Sequence, residues 1–374
     1  MTAKPPENSE RLDCLRLIRS ENVGPRTYRQ LLERFGTAAA ALEALPDLAR
    51  RGGRRGRFAL CSTAEAEAEL AAAAAMGART LVAHEPDYPP ALAALDDPPP
   101  IVHVMGDCTI FERPAAAIVG ARNASAAGLR FARRLARELA EAGIPVVSGL
   151  ARGIDTAAHE GALAAGTEAA GTVAVFAGGL DAIYPPENAA LADRIAASGA
   201  LLSEMPPGTE PQARHFPRRN RLIAGLTLGV VVVEAALRSG SLITARLATE
   251  QGREVFAVPG FPTDPRHEGT NRLLRDGAGF VECAEDVLET LRPMYRRQRH
   301  VDRSQPNVNQ DVTPLDIDQE RRIVVDLLGP TPTEIDDLIR QGKLTPAAVM
   351  TILLELELAG RLDRLAGNRV ALRY

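Results

Sequence analysis

The sequence predicts an α/β protein built around a Rossmann-like parallel sheet. Between residues 115 and 291, short apolar runs alternate with amphipathic or alanine-rich stretches. Continuous apolar strands separated by helical segments are typical of a parallel sheet that helices cover on both faces. The predicted strands are residues 116–119, 145–147, 172–176, 201–202, 230–233, 255–258 and 279–281. We therefore place a Rossmann-like domain at residues 81–292.

A helical module of residues 1–80 is predicted to precede the sheet. Leu15, Ile18, Leu31 and Phe35 recur at helix spacing, and a turn containing Gly24 separates two of the helices. A helix, a short glycine turn and a second helix resemble a SAM-like or helix-hairpin-helix unit, in which turn amides can face a phosphate. A plain helical packing module is the other interpretation of this segment.

The C-terminal part is predicted to be a linker, residues 293–315, followed by a winged-helix-like domain, residues 316–374. Three helical patterns and a terminal hairpin make up this domain, and Thr345 and Pro346 are typical of the start of its third helix. That helix contains Glu355 and Glu357 but no lysine or arginine. Because carboxylates are repelled by duplex phosphates, we predict an accessory or protein-interaction domain.

Composition limits the function classes. The 374 residues carry 44 basic and 48 acidic side chains, so any nucleic-acid footprint must be local. The four cysteines lie far apart without a CxxC pair, so neither a zinc site nor a disulfide framework is predicted. Without an apolar N-terminal signal or a run of 18 apolar residues, the expected location is cytoplasmic.

Two glycine-containing segments follow predicted strands, where an open parallel sheet binds its ligands. Gly120 and Arg122 lie between the first strand and a helix whose N-terminal amides suit a phosphate. Gly149, Arg152 and Gly153 occupy the same position after the second strand. These residues are therefore candidate anion ligands.

The helix after the second strand contains two further polar residues. Asp155 is placed to cap the N-terminus of this helix. His159 has no obvious nucleophile paired with it, so we interpret it as a packed or capping histidine rather than a catalytic one.

Two more segments complete the predicted site. An aromatic ring beside arginines supplies stacking for bases and charge for phosphates, as a single-stranded nucleic acid requires. The second segment has hydroxyls and a glycine at a predicted helix N-terminus. The segment with the aromatic ring contains Arg214, Phe216, Arg218, Arg219, Asn220 and Arg221, and the segment with the hydroxyls contains Ser239, Gly240 and Ser241. We expect Arg122, Phe216 and the helix arginines to form one continuous strip.

The motifs VGARNASAAG, VVSGLARGIDTAAHEGAL, FPRRNRLIAGL, EAALRSGSLITARLA and VFAVPG occur in this order. In sequence and spacing they resemble the DNA-processing protein A family (DprA, also called Smf). The resemblance implies a bacterial protein of natural transformation, or competence, and DNA recombination. It implies protection of single-stranded DNA, loading of the RecA recombinase, a homodimer formed by the Rossmann-like domain, and no cofactor.

Carried over by motif, the resemblance assigns DNA contacts to Arg122, Gly149, Arg152, Gly153, Phe216, Arg218, Arg219, Asn220 and Arg221, with Ser239, Gly240 and Ser241 as a backbone cradle. One position departs from the pattern, because some relatives have a lysine where this sequence has Ala213, with Arg214 beside it. Which basic residue of this sequence contacts the phosphate in place of that lysine stays open. For the dimer interface we propose Phe261, Leu273 and Leu274.

An enzyme is the alternative class. The first strand is not followed by GxGxxG, and GxxxxGK[ST] does not occur. A nucleotide-processing hydrolase of the lysine-decarboxylase-like fold would carry PGGxGTxxE, yet residues 235–249 contain no acid to act as a general base. We therefore expect a protein without enzymatic activity; an adaptor whose arginines contact only proteins is a third possibility.

Overall fold

The computed structural model describes residues 8–298, 317–365 and 367–373. Its N-terminal part is helical, which confirms the pattern seen in the sequence. Pro25 occupies the first turn of the second helix, and the Thr37 hydroxyl caps the third by accepting a hydrogen bond from Ala40 N at 3.2 Å. The four helices are α1 (Asn8–Arg19), α2 (Pro25–Phe35), α3 (Ala38–Arg51) and α4 (Thr63–Ala75).

The central sheet of the described chain has nine strands in the order β1-β2-β6-β5-β4-β3-β7-β8-β9. The seven predicted strands are confirmed as β3 to β9, all parallel, whereas β1 and β2 are antiparallel additions that the sequence reasoning missed. The strands are β1 (Arg79–Val82), β2 (Ile101–Gly106), β3 (Ala116–Val119), β4 (Val146–Ser148), β5 (Thr172–Val175), β6 (Ala200–Ser203), β7 (Gly229–Val232), β8 (Glu254–Ala257) and β9 (Gly279–Phe280).

Helices cover both faces of this sheet. Ala117 and Val119 of β3 pack into one apolar core, and their neighbours Ala116 and Ile118 pack into the other. Because successive side chains of a strand point to opposite faces, both sets must be apolar, which explains the continuous apolar runs. The helices are α5 (Pro90–Ala93), α6 (Ala126–Glu141), α7 (Ile154–Ala164), α8 (Ala189–Ser198), α9 (His215–Gly225), α10 (Gly240–Glu250), α11 (Glu268–Arg275) and α12 (Ala284–Gln298).

The strand order reverses at β3. From this strand the chain proceeds through β4, β5 and β6 on one side, and β7 then pairs with the opposite edge of β3. The connections after β3 and β7 therefore diverge at the carboxyl edge and leave a crevice between them. This switch point is where open α/β sheets bind ligands.

The C-terminal domain has the predicted winged-helix elements. The Thr345 hydroxyl accepts a hydrogen bond from Ala348 N at 3.2 Å, and Pro346 begins the third helix, as predicted. Gly367 and Asn368 both have positive φ at the hairpin turn. The elements are α13 (Ile317–Leu327), β10 (Thr333–Glu334), α14 (Ile335–Gly342), α15 (Pro346–Leu358), β11 (Leu362–Leu365) and β12 (Arg369–Leu372).

The N-terminal helices and the C-terminal domain pack together as one compact unit. Helix α15 lies against α3, and the Asn22 amide of the predicted hairpin donates a hydrogen bond to Leu358 O at 3.0 Å. Arg361 donates to Gly52 O at 3.2 Å. This association joins segments about 300 residues apart, and no sequence pattern indicated it.

The predicted linker begins later than residue 293. Pro293 lies inside α12, which continues to Gln298. The remaining predicted linker residues, 299–315, lie outside the described residues. Across the described ranges, no helix is both long enough and apolar enough to span a membrane.

Candidate nucleic-acid interface

A cavity of about 300 Å³ opens at the switch point. Segments that are far apart in the sequence converge on it, as expected for the carboxyl edge of a parallel sheet. Its lining includes Gly120, Arg122, Asp155, Phe216, Arg219, Asn220, Ser239, Gly240 and Ser241. We call it the switch-point cavity. Most of the predicted site residues therefore meet in one place.

Phe216 stands at the wall of this cavity between two guanidinium groups. The Arg122 guanidinium carbon lies 5.2 Å from the ring centroid, and that of Arg219 lies 5.8 Å away. Both distances are within the range of a cation–π contact. Arg122 is exposed, and no described carboxylate lies within salt-bridge distance of it. Its charge is therefore available to an anionic ligand.

Arg219 is buried, with 5% of its surface exposed. Its Nη1 donates to Val175 O at 3.2 Å, while its Nε has no hydrogen-bond partner among the described residues. Burial lowers the pKa of Arg219 to about 10, against the opposing charge of Asp155. A Cβ at position 149 would lie 1.4 Å from Nη1, so Gly149 is required to leave room for this guanidinium.

Asp155 does not cap α7, contrary to the prediction. The N-cap residue is Gly153, and the Asp155 carboxylate accepts hydrogen bonds from Gly149 N at 3.1 Å and Ala151 N at 3.4 Å. It therefore holds the connection after β4 in shape. Burial raises the pKa of Asp155, although the charge of Arg219 and the two amides oppose this shift.

The glycines of the two predicted loops face the protein interior rather than open space. A Cβ on Gly120 would lie 2.6 Å from Ile154 Cγ1, and one on Gly153, where φ is +78°, would lie 2.3 Å from Ala121 O. These glycines let the connections after β3 and β4 pack together. Gly240 differs, because no atom lies within 4 Å of its Cβ position.

The N-terminus of α6, predicted as an anion site, is already filled by a carboxylate. Glu234 at the end of β7 is 1% exposed and accepts hydrogen bonds from Ser125 N at 2.9 Å and Ser125 Oγ at 2.5 Å. A carboxylate beside a helix N-terminus is attracted by the positive end of the helix dipole, and the Gly128 amide of the first turn is capped by Ser125 Oγ. The anion preference of this segment is therefore used within the fold, and Arg122 remains its ligand-facing group.

The arginines of α9 do not form one continuous strip, so that prediction is wrong. Arg221 donates to Asp97 O at 3.1 Å and pairs through Nη2 with Glu204, which Arg218 also approaches at 3.4 Å. Residues three apart share a helix face, so Arg218 and Arg221 point away from the face that carries Phe216. Arg221, with 13% of its side chain exposed, is paired with a carboxylate of its own chain.

Two further predicted arginines have partners of their own. Arg152 is exposed and forms an ion pair with the exposed Glu187. Arg214 is the N-cap residue of α9, and its Nε lies 3.4 Å from His215 Nε2. Whether Arg214 takes the place of the lysine found in some relatives stays a prediction.

His159 is a packed residue, as predicted. It is fully buried, with Nδ1 2.8 Å from Thr172 Oγ1. The Thr172 hydroxyl donates to Val146 O, so Nδ1 must carry the proton and donate to the hydroxyl. Burial first, and the charge of Arg219 second, lower the pKa of His159 to about 3.

Sequence reasoning missed Tyr184, which lines a narrow niche beside the cavity with Arg152, Pro185 and Phe216. Its ring meets that of Phe216 edge to face, with centroids 6.0 Å apart. In the sequence, Tyr184 stands beside a proline and is part of no glycine or arginine motif, so no local pattern indicated a site there. The carboxylates Glu187 and Glu204 were missed because they neutralise arginines that are remote in sequence.

Comparisons with known proteins identify all three parts of the chain. Residues 79–292 match the model described as DNA recombination-mediator protein A, residues 8–72 the DprA-like N-terminal HHH domain, and residues 309–368 the DprA winged helix domain. Protein Smf of Escherichia coli is 40% identical over 304 residues, which cover 76% of this chain and 75% of that protein.

Two solved structures are similar as well. The X-ray structure of DNA processing protein A from Streptococcus pneumoniae has a TM-score of 0.63 at 34% identity, and the match covers 76% of this chain and 98% of that one. The second is the structure of DNA processing protein A from Helicobacter pylori, which gives insight into its single-stranded DNA binding mode. It has a TM-score of 0.52 at 34% identity, and the match covers 58% of this chain and 96% of that one. The chain belongs to the DNA recombination-mediator protein A family, the DprA or Smf proteins.

Proposed function

We propose that this protein binds single-stranded DNA in the switch-point cavity. The observation that carries the proposal is Arg219, a buried guanidinium that faces the cavity with no carboxylate within 4 Å in the described chain. Its Nη1 bonds Val175 O and Asp155 opposes its charge from beyond salt-bridge distance, but its Nε has no hydrogen-bond partner among the described residues, so an anionic ligand would offset part of the cost of burying this charge. Arg122 and the first turn of α10 supply further groups that attract a phosphate.

A single strand fits these groups better than a duplex. Phe216 offers an aromatic face beside two guanidiniums, and base stacking on such a ring tolerates any sequence. A base can reach the ring only if it is unstacked from its neighbours, which a duplex does not permit at low cost. The Helicobacter pylori protein, which is similar to this chain, has a single-stranded DNA binding mode, and this agrees with the proposal.

The test is a titration of oligo-dT and of a duplex of equal length over a salt series. We expect tighter binding of oligo-dT and a roughly tenfold loss of affinity for Phe216→Ala, since stacking contributes about 1–3 kcal/mol per base. Arg137→Ala, an exposed arginine on the outer face of α6, is the matched control and should bind like wild type. Equal affinity of Phe216→Ala and wild type would contradict the proposed site.

The same proposal includes delivery of the strand to RecA in the cytoplasm and a homodimer of the sheet domain. Phe261, predicted for the interface, has 72% of its surface exposed, and Phe280 on the edge strand β9 has 51%. Leu273 packs against the core, so it contributes less. Phe261→Asp should shift the mass measured by light scattering from dimer to monomer; an unchanged dimer would exclude this surface.

We further propose that the protein acts without catalysing a reaction. Asp155 is the carboxylate that lines the cavity, and it accepts hydrogen bonds from Gly149 N and Ala151 N. These contacts give it a structural role in shaping the connection after β4. Incubation with nucleoside monophosphates should release no base. Turnover that disappears in Asp155→Asn would support the hydrolase alternative instead.

A further inference from the structure

We propose that the segment between α3 and α4 binds the phosphate backbone of DNA, as a second contact separate from the switch-point cavity. This inference rests on the proposed function, because it concerns the same ligand. We call residues 50–57, which read RRGGRRGR, the arginine loop. The loop has five arginines, and residues 48–64 around it contain no acidic side chain.

The charge of the helical module differs from that of the whole chain. Residues 8–67 carry 11 basic and eight acidic side chains, whereas the full sequence carries 44 basic and 48 acidic ones. The arginine loop holds five of those 11 basic residues. A local excess of positive charge attracts a polyanion even where the protein as a whole is slightly acidic.

Three of the five arginines have no carboxylate within 4 Å in the described part of the chain. Arg50 pairs with Asp47, and Arg54 pairs with Glu21. The exposed arginines without such a pair are Arg51, Arg55 and Arg57. Arg51 lies in the last turn of α3, where it also opposes the helix dipole, but Arg55 and Arg57 lie beyond that helix. Their charges are therefore available to a ligand.

Contacts within the helical module fix the backbone of the arginine loop. Arg54 donates to Glu21 Oε2 at 2.8 Å, and its guanidinium carbon lies 5.6 Å from the centroid of the Phe58 ring. Gly53 and Gly56 have φ values of +93° and +105°, which glycine adopts without strain. Because the backbone is already ordered, a ligand would restrict only the arginine side chains.

The C-terminal domain extends this positive surface. Arg361 donates through Nη1 to Gly52 O at 3.2 Å, and it too has no carboxylate within 4 Å among the described residues. The turn between α1 and α2, whose amides could face a phosphate, is instead engaged by that domain, since the Asn22 amide donates to Leu358 O at 3.0 Å. In the helical module, the arginine loop is therefore the better candidate for a phosphate contact than this turn.

The side chains of the arginine loop favour the phosphate backbone over the bases. Phe58 is the only aromatic residue of the sequence 48–64, and it is 6% exposed, so the loop offers no ring for stacking. Guanidinium groups match the geometry of a phosphate, and phosphate contacts carry no sequence information. We therefore expect the loop to bind single strands and duplexes alike, whatever their sequence.

The experiment compares wild type with the double variant Arg55→Gln/Arg57→Gln in the full chain. The probes are oligo-dT of about 8 nucleotides, oligo-dT of about 40 nucleotides and a duplex of the longer length. The shortest probe fits the switch-point cavity, so its affinity should stay within twofold. For the long strand we expect a roughly fivefold loss and a salt slope reduced by about 1.4, because two phosphate contacts at about 0.7 each are removed. The duplex should also lose affinity roughly fivefold.

Arg133→Gln/Arg137→Gln is the matched control, because it removes the same charge from the exposed face of α6 and should bind all three probes like wild type. Circular dichroism checks that both double variants are folded. Unchanged affinity of the loop variant for the two long probes, or an equal loss on the short strand, would overturn the arginine loop and leave the proposed function intact. Failure of wild type to bind either oligo-dT would overturn the proposed function itself.

Discussion

Helices α9 and α15 each contain a buried charge, and they differ in how that charge is balanced. Arg219 in α9 is 5% exposed, and no described carboxylate lies within 4 Å of it. Glu355 in α15 is fully buried and pairs with Arg321 at 2.7 Å. The Glu355 charge is compensated by an arginine at hydrogen-bond distance, whereas Arg219 has only the more distant Asp155 and keeps its Nε available for an anion from outside. The comparison therefore favours α9 over α15 as the helix that meets an anionic ligand.

The same comparison corrects the reason why α15 is not a DNA-reading helix. The sequence suggested repulsion by Glu355 and Glu357, but these carboxylates are paired with Arg321 and Arg364. The helix is instead buried between its own domain and α3, with Val349, Leu353, Leu354 and Leu358 among its buried side chains. A recognition helix must be exposed to enter a groove. Packing rather than charge is therefore the argument for our prediction that α15 does not read DNA.

The largest expected effect comes from breaking the α3–α15 contact. A Cβ on Gly52 would lie 1.9 Å from Glu355 O, so Gly52→Ala forces the two helices apart and should cost about 1–3 kcal/mol of unfolding free energy. Urea unfolding followed by circular dichroism measures it. Gly24→Ala, where no atom lies within 4 Å of the added methyl group, should cost less than about 1 kcal/mol. Equal stability of Gly52→Ala and wild type would argue against this packing.

The next effect separates the arginines that contact the ligand from the one that supports α9. Arg122→Ala should weaken oligo-dT binding about tenfold and reduce the salt slope by about 0.7, because a phosphate contact is lost. Arg221→Ala should weaken binding less and leave the slope unchanged, because it loses Glu204 and Asp97 O rather than DNA. A reduced slope for Arg221→Ala would show that it contacts a phosphate after all.

A smaller effect follows from His159, whose folded pKa of about 3 lies below the ordinary value of 6.5. His159 binds a proton more tightly in the unfolded chain than in the folded one. The free energy of unfolding is therefore unaffected by this residue above pH 6.5 and decreases as the pH falls below that value. The loss is at most about 1.4 kcal/mol per pH unit. His159→Asn, which keeps a donor for Thr172, should lose less stability than wild type between pH 6.5 and 5.5. The exposed His84→Asn should retain the wild-type dependence.

The smallest effect is expected at the wing of the C-terminal domain. Arg373 is 64% exposed and lies 3.5 Å from Asp363, an arrangement that contributes about 0–1 kcal/mol. Arg373→Ala should therefore change the affinity for duplex or single-stranded DNA less than twofold in the same titrations. A tenfold loss of duplex binding would mean that the wing contacts DNA, and the contrast between α9 and α15 would then no longer separate a binding domain from an accessory one.

The parallel part of the sheet and the edge at which the candidate site lies could both be predicted from local sequence patterns. Apolar runs predicted β3 to β9 because a strand covered on both faces must be apolar throughout. Since parallel strands align their carboxyl ends, the segments with Arg122, Gly149, Phe216 and Ser239 could be assigned to one edge from the order of strands and helices. The antiparallel β1 and β2 escaped prediction because polar residues, Arg79 and Thr80 in β1 and His103 in β2, interrupt their apolar runs.

Which arginines lack a carboxylate partner depends on contacts between segments that are remote in sequence. Arg221 is paired with Glu204, 17 residues away, and donates a hydrogen bond to Asp97 O, 124 residues away. Its near neighbour Arg219 has no carboxylate within 4 Å in the described chain. Likewise, Gly149 is small because Arg219 lies against it, not because a ligand does. Periodicity and capping act between residues close in the chain, whereas ion pairing and burial depend on distances in space. The local pattern therefore predicted where the arginines lie, and folding determined which of them can bind an anion.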